Sequence, residues 1–423
     1  FLRLLAWVLA YLCHMALIRR SPIGVVFLTV SLDMLGVGIV IPVLPALFVD
    51  PQTSILPAST SDAARSVMYG YLVAAYPIMQ FFGAPILGAL SDRYGRKPML
   101  QISLVGTLAG YLLLGWAVYT ANVWLLFVSR LIPGFTGGNI SIIMSALSDI
   151  ATPVNRTKYF GLVGMAFGIG FILGPAIGGI LADSSISPLF GHATPFWFTA
   201  ALTVVNLLYV QTRFDETIAE RRLTPVSFFS GARNIKRAFS LPHLHGIFAV
   251  SLLLSLGFSF FTQFFSVFMI QKFGFQERDI GMLFAWVGLW LVFTQGVVVR
   301  RLAGRIAPRQ ILRWSVLFQG IALAAVLLPR TGAQMYFVNP FIALFQGLTS
   351  PNLTTVISSS ARPQEQGEIL GINQSMISVG QALPPIIAGY LNSINGAYPM
   401  IAASLLTFGA WIAFRIADAR HAY

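Results

Sequence analysis

The sequence predicts an all-α membrane protein with 12 transmembrane helices, arranged as two pseudo-symmetric six-helix bundles. Three observations predict this fold: the apolar composition, the division of the chain into twelve long apolar stretches, and a repeat that relates its two halves. Hydrophobic residues make up 56% of the 423 residues and charged residues only 10%, whereas an average soluble domain has about 25% charged residues. A soluble fold of this size would need far more polar surface.

Twelve stretches are long enough to cross a bilayer, since a spanning helix needs about 20 mostly apolar residues. Six lie in the first half, at 22–48, 68–90, 98–120, 123–147, 158–182 and 195–212. Six lie in the second half, at 245–271, 279–299, 309–329, 335–359, 368–392 and 396–415. The predicted domains are therefore an N-terminal cytoplasmic or interfacial segment 1–21, a bundle 22–212, a cytoplasmic linker 213–243, a bundle 244–415 and a cytoplasmic tail 416–423.

The cations predict the orientation. With the N-terminus placed inside, 22 Lys and Arg residues fall on the inner side and four on the outer side, and Arg130 lies within a helix. Cytoplasmic loops of membrane proteins carry an excess of Lys and Arg, so we expect both termini in the cytoplasm. Omitting one helix would destroy this asymmetry, which also supports the number twelve.

An internal repeat relates the two halves. The run from Pro133 to Asn139 is similar to the run from Gln346 to Asn352, at an offset of 213 residues. Six further Gly, Pro and Leu residues, one just before the fifth stretch and five within it, recur in and just before the eleventh at an offset of 210. Compositional bias is the alternative explanation, because glycine and proline are common in such helices. A duplication of six helices is typical of transporter folds in which two halves rock around a central site.

Two motifs carry a resemblance to a known family. Residues 88–97 read GALSDRYGRK, and residues 170–179 read GFILGPAIGG. The first resembles the loop 2–3 signature of the major facilitator superfamily, and the second its fifth-helix antiporter signature. Arg130 to Gly134 is similar to the R-x-x-x-G pattern of the fourth helix, and Leu32 to Pro45 to the first helix of the tetracycline-efflux branch. The resemblance implies the major facilitator fold and drug/proton antiport.

The resemblance also implies roles for the motif residues. It makes the cytoplasmic charge cluster a conformational latch, in which Arg96 bonds Asp149 and Asp92 docks on the other bundle in the outward-facing state. The latch residues are Gly88, Asp92, Arg93, Gly95, Arg96, Lys97 and Asp149. The alternative is an ordinary turn that obeys the positive-inside rule.

The antiporter helix has small residues on one face. Its motif residues are Gly170, Gly174, Pro175, Gly178 and Gly179. The glycines at 170, 174 and 178 share a face, where small residues let a neighbouring helix approach closely. The resemblance makes this face the sliding seam against the C-terminal bundle; ordinary tight packing is the alternative.

Only one acid lies deep within a predicted helix. Asp33 is 11 residues past Pro22, or about 16 Å into a core about 30 Å thick. Arg130 enters from the other side to a similar depth and is the only deep cation. A buried charge is costly and marks function by default, so we expect Asp33 to be the proton site and Arg130 to tune it or couple it to substrate. A static Asp33–Arg130 pair that joins two helices is the alternative.

Aromatic and amide side chains of the spanning stretches are the candidates for a substrate cavity. They are Asn139, Gln263, Phe264, Phe268, Trp286, Trp290, Gln295, Gln346, Asn352 and Asn373. Tetracycline pumps carry a further acid in the C-terminal half, but the ninth stretch here has Trp314, Phe318 and Gln319 and no carboxylate. A neutral or weakly charged amphipathic compound therefore fits better than a drug–metal cation. For each aromatic residue, contact with lipid or with other helices is the alternative.

These observations favour a secondary active transporter that exports a small organic compound in exchange for protons. A proton-coupled importer or facilitator of a sugar or metabolite is one alternative, and a transporter-like receptor or scaffold is another. The sequence contains no phosphate-binding loop and no zinc motif, so we expect no enzymatic activity, no metal site and no cofactor. We also expect no buried histidine proton relay, because all the histidines fall outside the apolar helices: His14, His192, His243, His245 and His421. The expected partners are the substrate, protons and the lipid bilayer, without nucleic acid. We expect a monomer in a bacterial inner membrane.

Overall fold

A computed structural model describes residues 22–50, 52–150, 156–218, 228, 230–241, 244–302, 304–360 and 366–420. The interfacial helix expected at 1–20 lies outside these residues. Helices occupy all twelve predicted stretches. The largest difference in their bounds is six residues, at the start of the second stretch, where the helix begins at Asp62 rather than at 68.

The first seven helices form an N-terminal group. They are α1 (Pro22–Val49), α2 (Asp62–Tyr94), α3 (Arg96–Tyr119), α4 (Val123–Thr136), α5 (Asn139–Ile150), α6 (Arg156–Ala182) and α7 (Thr194–Arg213). Helix α1 packs on α6 and α7, α3 packs on α4 and α7, and α2 packs on α4. The fourth predicted stretch is thus two helices, α4 and α5, because it contains two adjacent glycines, and glycine is a poor helix former.

Eight further helices follow, and the first of them lies in the predicted linker. They are α8 (Ser230–Ser240), α9 (His245–Phe273), α10 (Glu277–Phe293), α11 (Pro308–Ala325), α12 (Gly332–Ser359), α13 (Gln366–Ala382), α14 (Pro384–Ile394) and α15 (Tyr398–Arg420). A π-helical segment, Thr294–Val299, and a short turn, Arg300–Leu302, continue α10. Helix α9 packs on α13 and α15, and α11 packs on α12 and α15. Helices α9 to α15 form the C-terminal group.

The linker contains a helix that the sequence analysis did not predict. Helix α8 packs against α2 and α13, and Asn234 Nδ2 donates a hydrogen bond to Ser375 Oγ at 3.1 Å. Its residue Ala238 is fully buried. The sequence of α8 is polar, so its one apolar face is too short to stand out as a stretch of about 20 apolar residues.

Seven helices in the described part of the chain are long and apolar enough to cross a membrane. They include α1, α2, α3, α9 and α15, and they also include the combined segments Val123–Ile150 and Glu277–Leu302. Some of the other predicted stretches are interrupted. For example, proline begins α14 directly after α13, where it cannot continue the preceding helix without losing a hydrogen bond.

The two groups meet where α6 packs on α10, where α2 packs on α13 and α14, and where α1 packs on α9 and α10. Two loops, 50–61 and 183–193, lie at one end of the molecule, which we name the predicted outer end. The turn 91–97 lies at the other, the predicted cytoplasmic end. A large apolar cluster spans the junction and includes Phe48 of α1, Tyr69 of α2 and Phe264 of α9. It buries apolar surface from both groups, which stabilises their contact.

Candidate functional site

Asp33 lies on α1 at the point where α4 ends and α5 begins. Asn139 Nδ2 donates a hydrogen bond of 2.7 Å to Asp33 Oδ2. The Ser103 hydroxyl of α3 is within hydrogen-bonding reach of Asn139 Oδ1 and of the Thr136 carbonyl oxygen. Asn139 is buried, whereas Asp33 is only partly buried. The carboxylate is therefore held in place by an amide, at a residue that is not fully buried.

The break between α4 and α5 places the start of a helix beside this carboxylate. Gly137 and Gly138 separate the two helices, and Asn139 is the first residue of α5. Gln80 Nε2 of α2 donates to the Gly137 carbonyl oxygen at 2.9 Å, so that the interrupted backbone keeps a partner inside the membrane core. The amino end of a helix carries a partial positive charge, which is complementary to a carboxylate at this position.

Arg130 is held by aromatic rings rather than by Asp33. Its guanidinium carbon lies 5.2 Å from the centre of the Tyr76 ring. Tyr76 and Tyr111 each interact electrostatically with both Asp33 and Arg130. In the described residues, Asp33 and Arg130 form no ion pair. The alternative of a static Asp33–Arg130 pair is therefore wrong for this conformation, in which Asp33 is bonded to Asn139 and Arg130 lies over the Tyr76 ring.

The charge cluster at the predicted cytoplasmic end centres on Arg96. Its Nη1 lies 2.6 Å from Asp92 Oδ1, and its Nε lies 3.0 Å from Asp149 Oδ2 at the end of α5. The same side chain contacts Ser91 Oγ at 2.6 Å. The Arg96–Asp149 contact that the resemblance implied is thus present. The neighbouring Arg93 lies over the ring of Tyr94, with 5.3 Å between its guanidinium carbon and the ring centre.

The sequence analysis missed one acid in this cluster. Glu216, just past α7, accepts hydrogen bonds from the backbone N–H groups of Arg96 and Lys97 at 2.8 and 3.2 Å. These N–H groups have no partner within their own helix, and an acid at a helix N-terminus is favourable. Gly95, which joins α2 and α3 with a φ of +113°, leaves no space for a side chain beside Glu216. Glu216 lies 120 residues from Arg96, so no local pattern could have revealed it.

The glycine face of α6 packs against α1, not against the C-terminal group. A Cβ added at Gly174 would lie 2.6 Å from the Leu35 carbonyl oxygen and 2.8 Å from the Gly38 Cα. Gly170 and Gly178 likewise contact the α1 backbone. The expectation that these three glycines form the seam between the bundles is therefore wrong. Their shared face was read correctly from the spacing, but spacing does not say which helix packs there.

A different face of α6 contacts the C-terminal group. A Cβ at Gly179 would lie 2.5 Å from the Glu277 carbonyl oxygen and 3.0 Å from the Arg278 Cα. The Pro175 carbonyl lies against Gly281 of α10, and Ile172 lies against Gly288. Small residues on both sides thus let the two backbones approach closely. Gly179 and Pro175, unlike the other three motif residues, lie in this seam between α6 and α10.

The groups are in close contact throughout the predicted outer end. Gly70 of α2 abuts the backbone of Pro385 and Gly389 in α14. Asn392 Nδ2 donates to Ser66 Oγ at 2.8 Å, and the Tyr69 hydroxyl donates to the Gln263 carbonyl oxygen at 3.1 Å. Together with the α6–α10 seam, these contacts close the predicted outer end of the molecule in this conformation.

The candidate cavity residues do not form one cluster. Phe264 and Phe268 lie in the apolar core. The side chain of Asn352 donates to the Leu348 carbonyl oxygen of its own helix, whereas Asn373 accepts a hydrogen bond from Ser251. Asn139, the candidate from the N-terminal group, donates to Asp33.

The other candidates are partly exposed. Trp286 Nε1 donates to the Tyr336 carbonyl oxygen at 2.9 Å, and its ring packs edge-on against Trp290. Gln346 accepts a hydrogen bond of 2.5 Å from Gln319, so a neutral amide pair occupies the ninth and tenth stretches. Gln295 is exposed in the π-helical segment; such segments occur frequently at functional sites.

Residues 26–385 match the family model of the Major Facilitator Superfamily. The chain is 31% identical over 386 residues to the class H tetracycline resistance protein of Pasteurella multocida, with 90% of this chain and 91% of that protein covered. It is 29% identical over 374 residues to multidrug resistance protein 2 of Bacillus subtilis (strain 168), with 88% and 89% covered.

Solved structures show the same fold. The human organic anion transporter MFSD10 (TETRAN) has a TM-score of 0.71 to this chain at 23% identity, with 94% of this chain and 99% of that chain covered. A D-xylose-proton symporter has a TM-score of 0.72 at 16% identity, with 93% and 96% covered. At these identities the similarity is one of fold alone.

Proposed function

The chain belongs to the Major Facilitator Superfamily, and from this membership we propose that it exports small amphipathic organic compounds in exchange for protons. It is an integral, multi-pass membrane protein. The names of its relatives, tetracycline resistance and multidrug resistance proteins, support export of drug-like compounds. The neutral Gln319–Gln346 pair supports a neutral or weakly charged substrate rather than a cationic complex.

We place the predicted outer end on the outside and both termini in the cytoplasm, because the cations favour this orientation. We also propose that residues 22–212 and 244–415 move as two bundles. In that cycle the α6–α10 seam and the contacts of α2 with α14 separate to open the outer end. The charge cluster around Arg96 would then act as a latch at the cytoplasmic end, where charge pairs that break and reform can select one state.

The observation that carries the proposal is the environment of Asp33. An ionised carboxylate in a medium of low dielectric needs hydrogen bonds or a cation to compensate for lost water. Asp33 has one amide donor and the start of α5 beside it, it is not fully buried, and in the described residues it has no ion-pair partner. Such a group can exist in both protonation states at modest cost. Movement of α1 relative to α5 would change this balance and release or bind a proton.

The function can be tested with purified protein in liposomes whose interior is acidic. We expect a panel of amphipathic drugs to show at least one compound that accumulates inside, in exchange for protons. A gradient of two pH units supplies about 2.7 kcal/mol per proton, enough for about 100-fold accumulation at a one-to-one ratio. Movement of substrate out of the acidic interior together with protons would instead indicate an importer, and absence of flux for every compound would indicate a receptor or scaffold.

Asn139 offers a second test of the Asp33 site. Replacing Asn139 with alanine removes the 2.7 Å hydrogen bond to the carboxylate. A hydrogen bond to a charged group contributes about 1.5–3 kcal/mol, so we expect proton-driven export to fall by about tenfold or more. The measurement is the initial rate of drug accumulation in everted vesicles, normalised to the amount of protein.

The matched control for this test is Asn339→Ala. Asn339 is a buried asparagine of α12 whose amide donates to the Met335 carbonyl oxygen of its own helix. We expect little change in export for this variant. An equal loss in both variants, or no loss for Asn139→Ala, would contradict the proposal that Asn139 acts by positioning Asp33.

A further inference from the structure

Two pairs of polar side chains connect the N-terminal and C-terminal groups at the outer end. His192, in the loop 183–193, has its Nδ1 atom 2.9 Å from Oε1 of Glu277, the first residue of α10. Beside it, Arg278 Nη1 lies 3.6 Å from Asp183 Oδ2. Both pairs thus link the loop before α7 to the start of α10. Opening the outer end would separate both.

The His192–Glu277 contact depends on a proton. The two atoms are buried, and neither has a hydrogen-bond partner elsewhere in the described residues. If His192 has no proton on Nδ1, two lone pairs face each other at 2.9 Å, which leaves both atoms unsatisfied at a cost. The neutral tautomer with its proton on Nδ1 supplies the hydrogen alone, whereas the doubly protonated imidazole supplies both the hydrogen and a positive charge opposite the carboxylate. The side chain of His192 is 33% exposed and that of Glu277 is 9% exposed, so a proton can reach the pair from the outer solution.

We propose that His192 and Glu277 form a second proton-binding site, separate from Asp33, and that proton binding there holds the outer end closed. The site binds its proton in the closed state and loses its partner in the open state. By linkage, a ligand that binds one of two states more tightly shifts the population toward that state. The proposal rests on the orientation and the alternating-access cycle given above. In an exporter, it means that external acid favours closure of the outer end after Asp33 has bound its proton.

The charges around His192 agree with this direction. The hydrogen bond with Glu277 raises the pKa of His192, and the negative charges of Glu277 and Asp50 add to this effect, whereas partial burial opposes it. Of the other groups nearby, Asp183 is engaged with Ser185 and Arg278, and two hydrogen bonds from Ser185 lower its pKa. Asp279 accepts from the backbone of Gln276, and Lys272 donates to the Leu327 carbonyl oxygen.

The sign of the pH dependence follows from the raised pKa. At a pH below the ordinary histidine pKa of about 6.5, His192 is protonated in both states, and the pair stabilises the closed state by its full free energy. The contribution is lost as the pH rises through the higher pKa of the closed state. The closed population should therefore fall between mildly acidic and alkaline pH.

The test measures conformation rather than transport, so it does not depend on the role of Asp33. Spin labels are attached to cysteines at Leu189 and Leu328, which are 85% and 77% exposed and belong to different groups at the outer end. The background carries Asp33→Asn and Cys13→Ser, which remove the other proposed proton site and the single native cysteine. Distances between the labels are measured by pulsed electron paramagnetic resonance in nanodiscs from pH 5 to pH 9.

We expect the short-distance population in this background to fall as the pH rises. His192→Gln should abolish the pH response, because a glutamine amide can donate to Glu277 but does not titrate. Glu277→Gln removes the carboxylate and should also abolish the pH response. This variant provides a second test if His192→Gln folds poorly. The control is His245→Gln. His245 is the first residue of α9, at the other end of that helix from the start of α10, so this variant should keep the pH response. A pH response that survives both His192→Gln and Glu277→Gln, or that is absent from the parent, would overturn the proposal.

Discussion

Asparagine in place of Asp33 should abolish proton-driven export. The amide of the variant can still interact with Asn139, but it cannot bind or release a proton in the physiological range. Without that step a pH gradient no longer supplies energy, so accumulation against a gradient of two pH units should fall from a limit of about 100-fold to equilibration. The measurement is drug accumulation in everted vesicles energised to an acidic interior. Undiminished accumulation would rule out Asp33 as the coupling site.

The same substitution at a second aspartate shows whether the effect of Asp33→Asn comes only from the loss of a negative charge. Asp62, exposed in the first turn of α2, lies at the outer end and away from the Asn139 site. Asp62→Asn should keep proton-driven accumulation. Facilitated exchange of substrate down its own gradient gives a further control, because Asp33→Asn should retain it if the variant still folds and binds substrate.

Valine in place of Gly174 should destabilise the N-terminal group. The atoms that its Cβ would meet, the Leu35 carbonyl oxygen at 2.6 Å and the Gly38 Cα at 2.8 Å, belong to the backbone of α1 and cannot rotate away. Overpacking of a tight core costs about 1–3 kcal/mol, and the branched valine side chain at a helix–helix contact should reach at least the upper part of that range. The measurement is the thermal midpoint and the monodisperse yield of the purified protein.

The control is the same substitution in α1. A Cβ at Gly24 meets no atom within 4 Å, so Gly24→Val should leave the thermal midpoint nearly unchanged. The comparison also tests which helix the glycine face contacts. If Gly174 faced the C-terminal group, valine would alter the equilibrium between closed and open states while leaving the stability of the N-terminal group intact.

Gly179 illustrates why the motif is best considered residue by residue. It is adjacent to Gly178 in sequence, but it contacts the backbone of α10, whereas Gly178 contacts Ile39 of α1. Successive helical residues point about 100° apart, so two neighbours can face different helices. One short motif therefore serves two purposes. It packs α6 permanently against α1, and in this conformation it seats α6 against the other group.

The amino-acid sequence by itself determined the membrane class, the positions of the twelve stretches and the lone deep acid. These features depend on local composition, because a spanning helix needs its own apolar length and an ionisable group within it is exceptional. The contact of Arg96 with Asp149 was also anticipated, but from the resemblance rather than from the residues. Helix α8 was missed because a short amphipathic helix in a polar linker has no comparable local signal.

Only the tertiary structure decided which side chains meet. Asp33 and Asn139 are 106 residues apart, and their contact requires both the position of α1 and the break between α4 and α5. His192 was excluded from a buried relay because it lies outside the apolar stretches, yet the closed outer end brings it to Glu277 of the other group. Helical periodicity specifies which residues share a face, but the partner of that face depends on how separate helices pack together. That arrangement is set by contacts between segments that are remote in the chain.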